Sequence, residues 1–585
     1  MGDATLFPGA VQPWVLPGRA DASRLTAIRE GRLELGITGT RDLGYDGDFW
    51  SRTPGVTDSQ HMLLHALRWL SPLVVELLHT HEPRTTPDWA LLNQLLESWR
   101  DWETANPADT SVWDGHPAAL RTQFLVGLTE LLPDEEWLAD LLGRHARHLA
   151  EPDNFSGFWN HGLTEALALY AAGQRLGDLD AVATARERIV GCVAEMVDDE
   201  VAINEQAPGY ATYIFTLLEG VERGFAHNND AESASFVQER ARLLEPFILH
   251  CLNPLDHLEQ IGDTYDGVTP SEIIASARAG GRLPEPNFGE TGRVAVYRRG
   301  YLLARSGWGE DHPAAQEDYF TLRFGPGRII HGHNDHLSLT WFTAGQRVII
   351  DSGHGGYTKG PYRAHLQSPQ AHNMLEVVDQ RHGWDQETEL LGHYQTPGTI
   401  PALIAKAGDS AYAGVRRTRT VVFTPHAPLL TFDAATAKYP RHLRQLWHVA
   451  PQFPELVSSE GYFRVRDPKA GLDLVVLPVP VGPEVPDLEL EHWRGATDPH
   501  QGWHSLWEGE AEPNFALGIG LANTTALRLA TVLLTVPAAA EVSHRLKPRR
   551  KLLARSPHGH TLTVSAAGST HTWELDVHGD PYLQP

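Results

Sequence analysis

The chain has 585 residues, 42% hydrophobic and 9% aromatic, with two cysteines and a formal net charge of −26 at neutral pH. That length exceeds one ordinary core and implies about two to four domains. The acidity excludes nucleic acid as a partner, because neutralising phosphates takes a net basic footprint, and Cys192 and Cys251 can build neither a disulfide framework nor a cysteine zinc site.

The opening "MGDATLFPGAVQPWVLPGRA" lacks a basic start and an apolar h-region, and no apolar run approaches the ~20 residues of a membrane span. A cytoplasmic protein with no membrane partner is expected. From about residue 59 to 280 apolar residues recur at helical spacing, as in "HMLLHALRWLSPLVVELLHT" and "AVATARERIVGCVAEMV". Successive amphipathic helices on short loops predict helical hairpins packed as an α/α toroid, over residues 1–285.

Within this half, "NFSGFWNHGLTEALAL" puts Asn160 and His161 in the first turn of a helix, where backbone N–H groups and the dipole favour anions. An amide donor beside an imidazole can hold a carboxylate; the alternative is a helix cap with a surface histidine. "NEQAPGYATYIF" then offers Glu205, Tyr210 and Tyr213, and a phenol near other polar groups can move a proton.

"GRLPEPNFGETG", 281–292, reads as a linker, and beyond about 290 the period becomes two, in "DYFTLRFG", "TRTVVFTP" and "LRLATVLLTV". An antiparallel β-sandwich is expected over 286–490 and a smaller β-rich domain over 491–585. In "HGHNDHLSLTW", period-two geometry would send His331, His333 and Asp335 to one face of a strand, ahead of Leu337, Leu339 and Trp341. With 31 histidines in the chain, His-x-His alone says little. His333, Asp351 and His372 would make a two-histidine, one-carboxylate metal set. A two-residue turn at Ala344 and Gly345 would pair Asp351 with Ser338, five residues from His333, so a bulge or a bent strand start has to close the gap.

The order of Trp113 and Arg121 in "WDGHPAALR", "NHGLTEALAL", "EQAPGY", "IGD" at 261–263, "HGHNDHLSLTWFTAGQRVIIDSG", Tyr362-Arg363 and "SPQAHN" resembles the heparinase II/III family of polysaccharide lyases, over about residues 110–450. That family includes alginate and oligoalginate lyases, and the resemblance implies an α/α toroid followed by β-sandwich domains. It implies β-elimination on a uronate poly- or oligosaccharide, with alginate, heparan-type chains, hyaluronan and bacterial exopolysaccharides all presenting the carboxylate required. Asn160 and His161 match the carboxylate-neutralising pair, Tyr210 the catalytic tyrosine and His331 the cleft histidine. Tyr357 matches a second catalytic tyrosine, with Tyr362 as its rival in the same loop. Glu205, Arg121 and Arg363 become substrate contacts, and His333, Asp351 and His372 the ligands of one zinc ion, structural by resemblance. Two positions depart from the family pattern, Ala207 and Ala211, where Ser and His are common. A homodimer is compatible with this reading.

Two other classes compete. His333, Asp335 and His372 would also serve as the facial triad of a non-haem iron oxygenase on a β-sandwich, which leaves Asn160 and Tyr210 without a role. A catalytically silent carbohydrate-binding protein keeps the fold and forms no product.

Overall fold

The structure is a computed structural model that describes residues 21–34, 40–42, 44–45, 49–51, 58–107, 109–197, 205–280, 292–328, 330–378, 380–397, 401–482, 486–507, 509–549 and 559–576. The opening twenty residues and nearly all of the expected linker lie outside them. The chain divides into two compact units, residues 1–199 with 213–245 and residues 200–212 with 246–585.

In the first unit, helices Gly115–Leu131, Glu136–Ala150, Asn160–Leu176 and Leu179–Met196 pack on one another in chain order, as the 3.6 period predicts. Their ends follow local chemistry. Helix Pro87–Ala105 begins with Thr86 accepting from Trp89 N–H and proline at its first position. Asn160–Leu176 stops at Gly177, left-handed at φ 68°, and Asp178 next to it caps the following helix by accepting from Ala181 N–H.

Arg121, expected to touch substrate, is instead part of this unit's core. It is fully buried, with Nε donating to His145 Nε2 at 2.9 Å, and Nη1 and Nη2 donating to the carbonyls of His65 and Val112. Its guanidinium lies over the rings of Trp99 and Trp113, 4.9 and 5.2 Å from their centroids. Burial pulls its pKa down to about 9, still protonated at neutral pH. A charge so enclosed ties helices together rather than meeting a ligand.

The second unit is built on two antiparallel sheets. The smaller runs Val294–Tyr297, Tyr301–Arg305, Tyr319–Arg323, Leu339–Thr343 and Gln346–Ile349 in chain order. The larger is a ten-stranded sheet whose centre places Phe515–Pro537 between Leu429–His448 and Leu472–Pro480. Phe320, Leu322, Trp341 and Ile349 of the small sheet pack against Ala405, Val421, Trp447 and Leu517 of the large one. On the outer face Leu430, Phe432, Val475 and Val532 meet Leu562, Val564 and Leu575 of a three-stranded sheet, Val542–Arg549, Gly559–Ala566 and Ser569–Asp576. Being covered on both faces explains why strands such as "LDLVVLPVP" read as apolar runs.

The expected boundary at 490 therefore fails. Phe515–Pro537 completes the large sheet, although two short ribbons over 496–513 separate it in sequence from its neighbours. The smaller β-rich layer begins only at Val542. The boundary at 285 also shifts, since 200–212 and 246–280 belong to the sandwich unit.

Candidate active site and metal centre

The segment 331–338 is not the start of a strand. The strand begins at Leu339, and before it the chain turns, with Leu337 at φ 69° and Ser338 N–H donating to Asp335 C=O at 2.9 Å. The two-residue turn at Ala344 and Gly345 does form, both residues left-handed. A bulge follows, so that Trp341 faces Ile349. This moves Asp351 one place away from His333 rather than towards it. Curling of 333–338 closes the gap instead.

The result brings His333, Asp351 and His372 together, all buried, with one ligand atom from each within 4.8 Å of the others. Asn373 sets the position of His372: its Nδ2 donates to the carbonyls of Leu339 and Ile350, and its Oδ1 accepts from His448 N–H. Asp335, the carboxylate of the iron reading, is turned away into a buried ion pair with Arg323 at 3.1 Å.

The centre of the arrangement is Asp263, which the spacing of "IGD" placed in a motif but gave no chemistry. One carboxylate receives His331 Nδ1 at 3.0 Å, His333 Nε2 at 2.9 Å, His354 Nδ1 at 3.1 Å and Arg363 Nη2 at 2.6 Å. Burial alone would raise its pKa, but the hydrogen bonds from His331, His333 and His354 hold it well below the usual carboxylate range. Asp263 is brought up by a close backbone approach. Gly262 sits at φ 55°, and a Cβ there would stand 2.6 Å from His331 O and 2.7 Å from Gln206 O, while Asp263 N–H donates to His331 O.

Beyond His331 lie the tyrosines. The ring of Tyr210 stacks on His331, with centroids 3.6 Å apart and planes within 13°, and its hydroxyl shares a short hydrogen bond with that of Tyr357. Tyr357 also meets His354 edge-on at 4.7 Å, whereas Tyr362 packs against His500. Of the two rivals, Tyr357 is thus the one beside Tyr210. Burial, then the neighbouring Tyr210, pushes the Tyr357 phenol far up, so it stays protonated. Glu205, fully buried, lies 3.4 Å from His331 Nε2. Arg363 is held by Asp263 and by the carbonyl of His354 at 2.8 Å, which makes it a brace for the cluster.

Asn160 and His161 occupy the first turn of their helix in the helical unit, as expected. Asn160 is buried. His161 is stacked between His116 and Trp159, at 4.0 and 4.1 Å. Tyr213 is exposed on the same unit.

Residues 316–543 match the family model described as heparinase II/III-like, C-terminal. Among solved structures, heparinase III is similar over 96% of this chain and 92% of its own, at 14% identity with a TM-score of 0.74. The heparan sulfate lyase HepC from Pedobacter heparinus is similar over 95% of this chain and 88% of its own, at 15% identity with a TM-score of 0.62. At these identities the likeness is one of fold, a helical region followed by antiparallel β-sheets. No curated protein matches the chain by sequence. Residues 316–543 thus form a domain of the heparinase II/III-like, C-terminal kind, and over the rest of the chain the likeness to the solved lyases is one of fold.

Proposed function

We propose that the protein is a polysaccharide lyase that cleaves uronate-containing chains by β-elimination, leaving a 4,5-unsaturated uronate. The observation that carries this reading is the Tyr210–Tyr357 hydroxyl pair, with the Tyr210 ring stacked on His331 and with Tyr357 and His331 inside the segment that matches the heparinase II/III-like family model. Elimination needs a group that takes the C5 proton and one that gives a proton to O4 as the C4–O4 bond breaks and the C4=C5 bond forms. The hydrogen-bonded pair meets both needs with Tyr210 as the phenolate: it takes the C5 proton, the Tyr357 hydroxyl protonates O4, and the proton then passes from Tyr210 to Tyr357 across their hydrogen bond, which restores the pair. Tyr357, kept protonated by burial, is the donor to O4, and Tyr210 is the group that takes the C5 proton.

Both nitrogens of His331 face carboxylates, Asp263 on one side and Glu205 on the other. That favours a positioning role for His331, holding the Tyr210 ring, over the role of second base. Neutralising the substrate carboxylate, which makes C5–H acidic enough to leave, is the role that resemblance gives Asn160 and His161.

His333, Asp351 and His372 fit a zinc ion. His333 Nδ1 and His372 Nε2 are buried without hydrogen-bond partners, and His333 gives its other nitrogen to Asp263, the carboxylate–histidine arrangement that orients a metal-bound imidazole. Burial pulls His333 down to about 4, so its ring is in the neutral, ligating form. Bound there, the metal would supply a cross-link between the turn at 333, the end of the strand before Asp351 and the loop at 372. Asp263 then couples that cross-link to the orientation of His331.

The names of the solved relatives support a glycosaminoglycan-type substrate over alginate. The test is a panel of heparan-type chains, hyaluronan, chondroitin and alginate with their short oligomers, followed by ultraviolet absorbance of the conjugated product. Absorbance growth on at least one uronate chain is expected; saccharides cut without any gain in absorbance contradict the proposal.

A further inference from the structure

We propose that a pocket beside the candidate site, walled by Arg328, Asn334, Gln380, Arg381 and Trp384, binds an anionic sugar unit of the substrate through its sulfate or carboxylate group. The proposal rests on the lyase reading only for the claim that this unit belongs to the substrate. The pocket has a volume of about 310 Å³, at the small end of the range for ligand sites and suited to one sugar ring rather than a chain.

Its chemistry is that of a charged saccharide. In a chain of net charge −26, none of the described residues lining this pocket is acidic, and two are arginines. Among the described residues, neither guanidinium is paired with a carboxylate. Arg328 instead meets the Gln367 amide, which, oriented with its oxygen towards the guanidinium, accepts from Arg328 Nη2 and from Arg363 Nη2 of the neighbouring cluster, each at 2.9 Å. Guanidinium groups present parallel donors that suit sulfate and carboxylate oxygens. Acceptors for sugar hydroxyls come from two more lining residues: Asn334 Oδ1 and Gln380 Oε1 are buried atoms without hydrogen-bond partners among the described residues. Trp384, 55% exposed, provides the apolar face on which a pyranose ring lies.

The walls are preformed. Arg328 N–H donates to Trp384 C=O at 2.7 Å, Gly383 N–H to Ala411 C=O at 2.7 Å, and Gln380 Nε2 to Ala413 C=O at 2.8 Å. The pocket also communicates with the cluster around Asp263. Asn334 follows the candidate ligand His333 directly and donates its N–H to Gln367 C=O at 3.1 Å, and the Gln367 amide joins Arg328 to Arg363, which holds Asp263. An anion drawn to Arg328 therefore lies one side chain away from the residues that fix His331.

The experiment measures binding and turnover separately. Arg381→Gln and Trp384→Ala change exposed side chains and should fold as the parent does, and Arg328→Gln is the deeper probe. Equilibrium binding of three monosaccharide probes, a sulfated hexosamine, a uronic acid and the neutral hexose, is read by tryptophan fluorescence. The parent should bind one or both charged probes and not the neutral one, binding should weaken with added salt, and each arginine variant should lose about tenfold in affinity. The charged probe that binds tells sulfate from carboxylate. On an oligosaccharide that the enzyme cleaves, Arg381→Gln should raise KM with kcat nearly unchanged. Equal binding of the neutral hexose, or variants that bind and turn over as the parent does, overturns the pocket proposal. Charged probes that bind and are lost in the variants, in a protein that forms no unsaturated product, uphold the pocket and sink the lyase reading instead.

Discussion

Two buried ionic clusters of the sandwich unit use the same residue types to opposite ends. Between the sheets, Arg417 pairs with Asp409 at 2.6 Å and Arg419 with Asp433 at 2.7 Å, all four buried, one cation to one carboxylate. Around Asp263, a single carboxylate accepts from three imidazoles and one guanidinium and borders the hydroxyl pair of two tyrosines. The paired arginines are closed: Arg417 also donates to Leu375 C=O and Arg419 to Leu337 C=O, so each cation stitches backbone to backbone. The Asp263 cluster leaves His333 Nδ1 and the neighbouring His372 Nε2 without partners among the described residues. A closed pair fixes strands. A carboxylate shared by several imidazoles can fix groups that bind a metal and hold a tyrosine.

Substitutions should separate the two behaviours. The largest effect is expected at Tyr210→Phe, which keeps the ring and its stacking on His331 but removes the proton-transfer hydroxyl. Turnover should fall about 10²- to 10⁴-fold with melting temperature close to that of the parent. Undiminished turnover would take the tyrosine pair out of the mechanism. Tyr357→Phe should fall in the same range, and the double variant should lose little more than the worse single one, because residues that act as a unit are not additive.

In the closed cluster, Arg417→Leu leaves Asp409 buried without its cation. It should cost about 3–5 kcal/mol of unfolding free energy, measured by denaturant titration. A loss under 1 kcal/mol, read by the same titration, would mean that the pair behaves as a surface one. His372→Ala should lower metal content and melting temperature together, since ligands that cross-link separate segments bind and stabilise at once. If metal remains stoichiometric by elemental analysis, the ligand set is wrong; metal lost with melting unchanged would place the ion outside the folding balance. Asp263→Asn is the finest test. It keeps shape but weakens the acceptor behind His333, so metal affinity should fall about 10- to 100-fold by chelator competition.

How much of this the sequence revealed follows from the range of the interactions involved. The change from helical to alternating period near residue 290 is local and readable, and so are the two-residue turn at Ala344-Gly345 and the trio His333, Asp351 and His372. The trio's convergence needed the curl at 333–338, which alternation hid, because Asp335 and Leu337 answer to Arg323 and to a left-handed turn rather than to a strand. Arg121 looked like a ligand contact and is a core residue, since its partners His65, Val112 and His145 come from separate helices. The boundary at 490 failed because Phe515–Pro537 pairs with strands distant in the chain. Asp263 was the costliest omission. "IGD" hinted at it only through a glycine that a close approach requires, and its four donors lie 68 to 100 residues away.

The most direct measurement of the central claim is the mass of the cleavage products formed in water enriched in heavy oxygen, on whichever uronate oligosaccharide the protein consumes. Elimination draws no oxygen from solvent: each cut should yield one unsaturated fragment and one ordinary reducing end that sum to the substrate mass, with no heavy label introduced at the cut. Fragments that together weigh one water more than the substrate, carrying solvent oxygen at the new end, would contradict β-elimination.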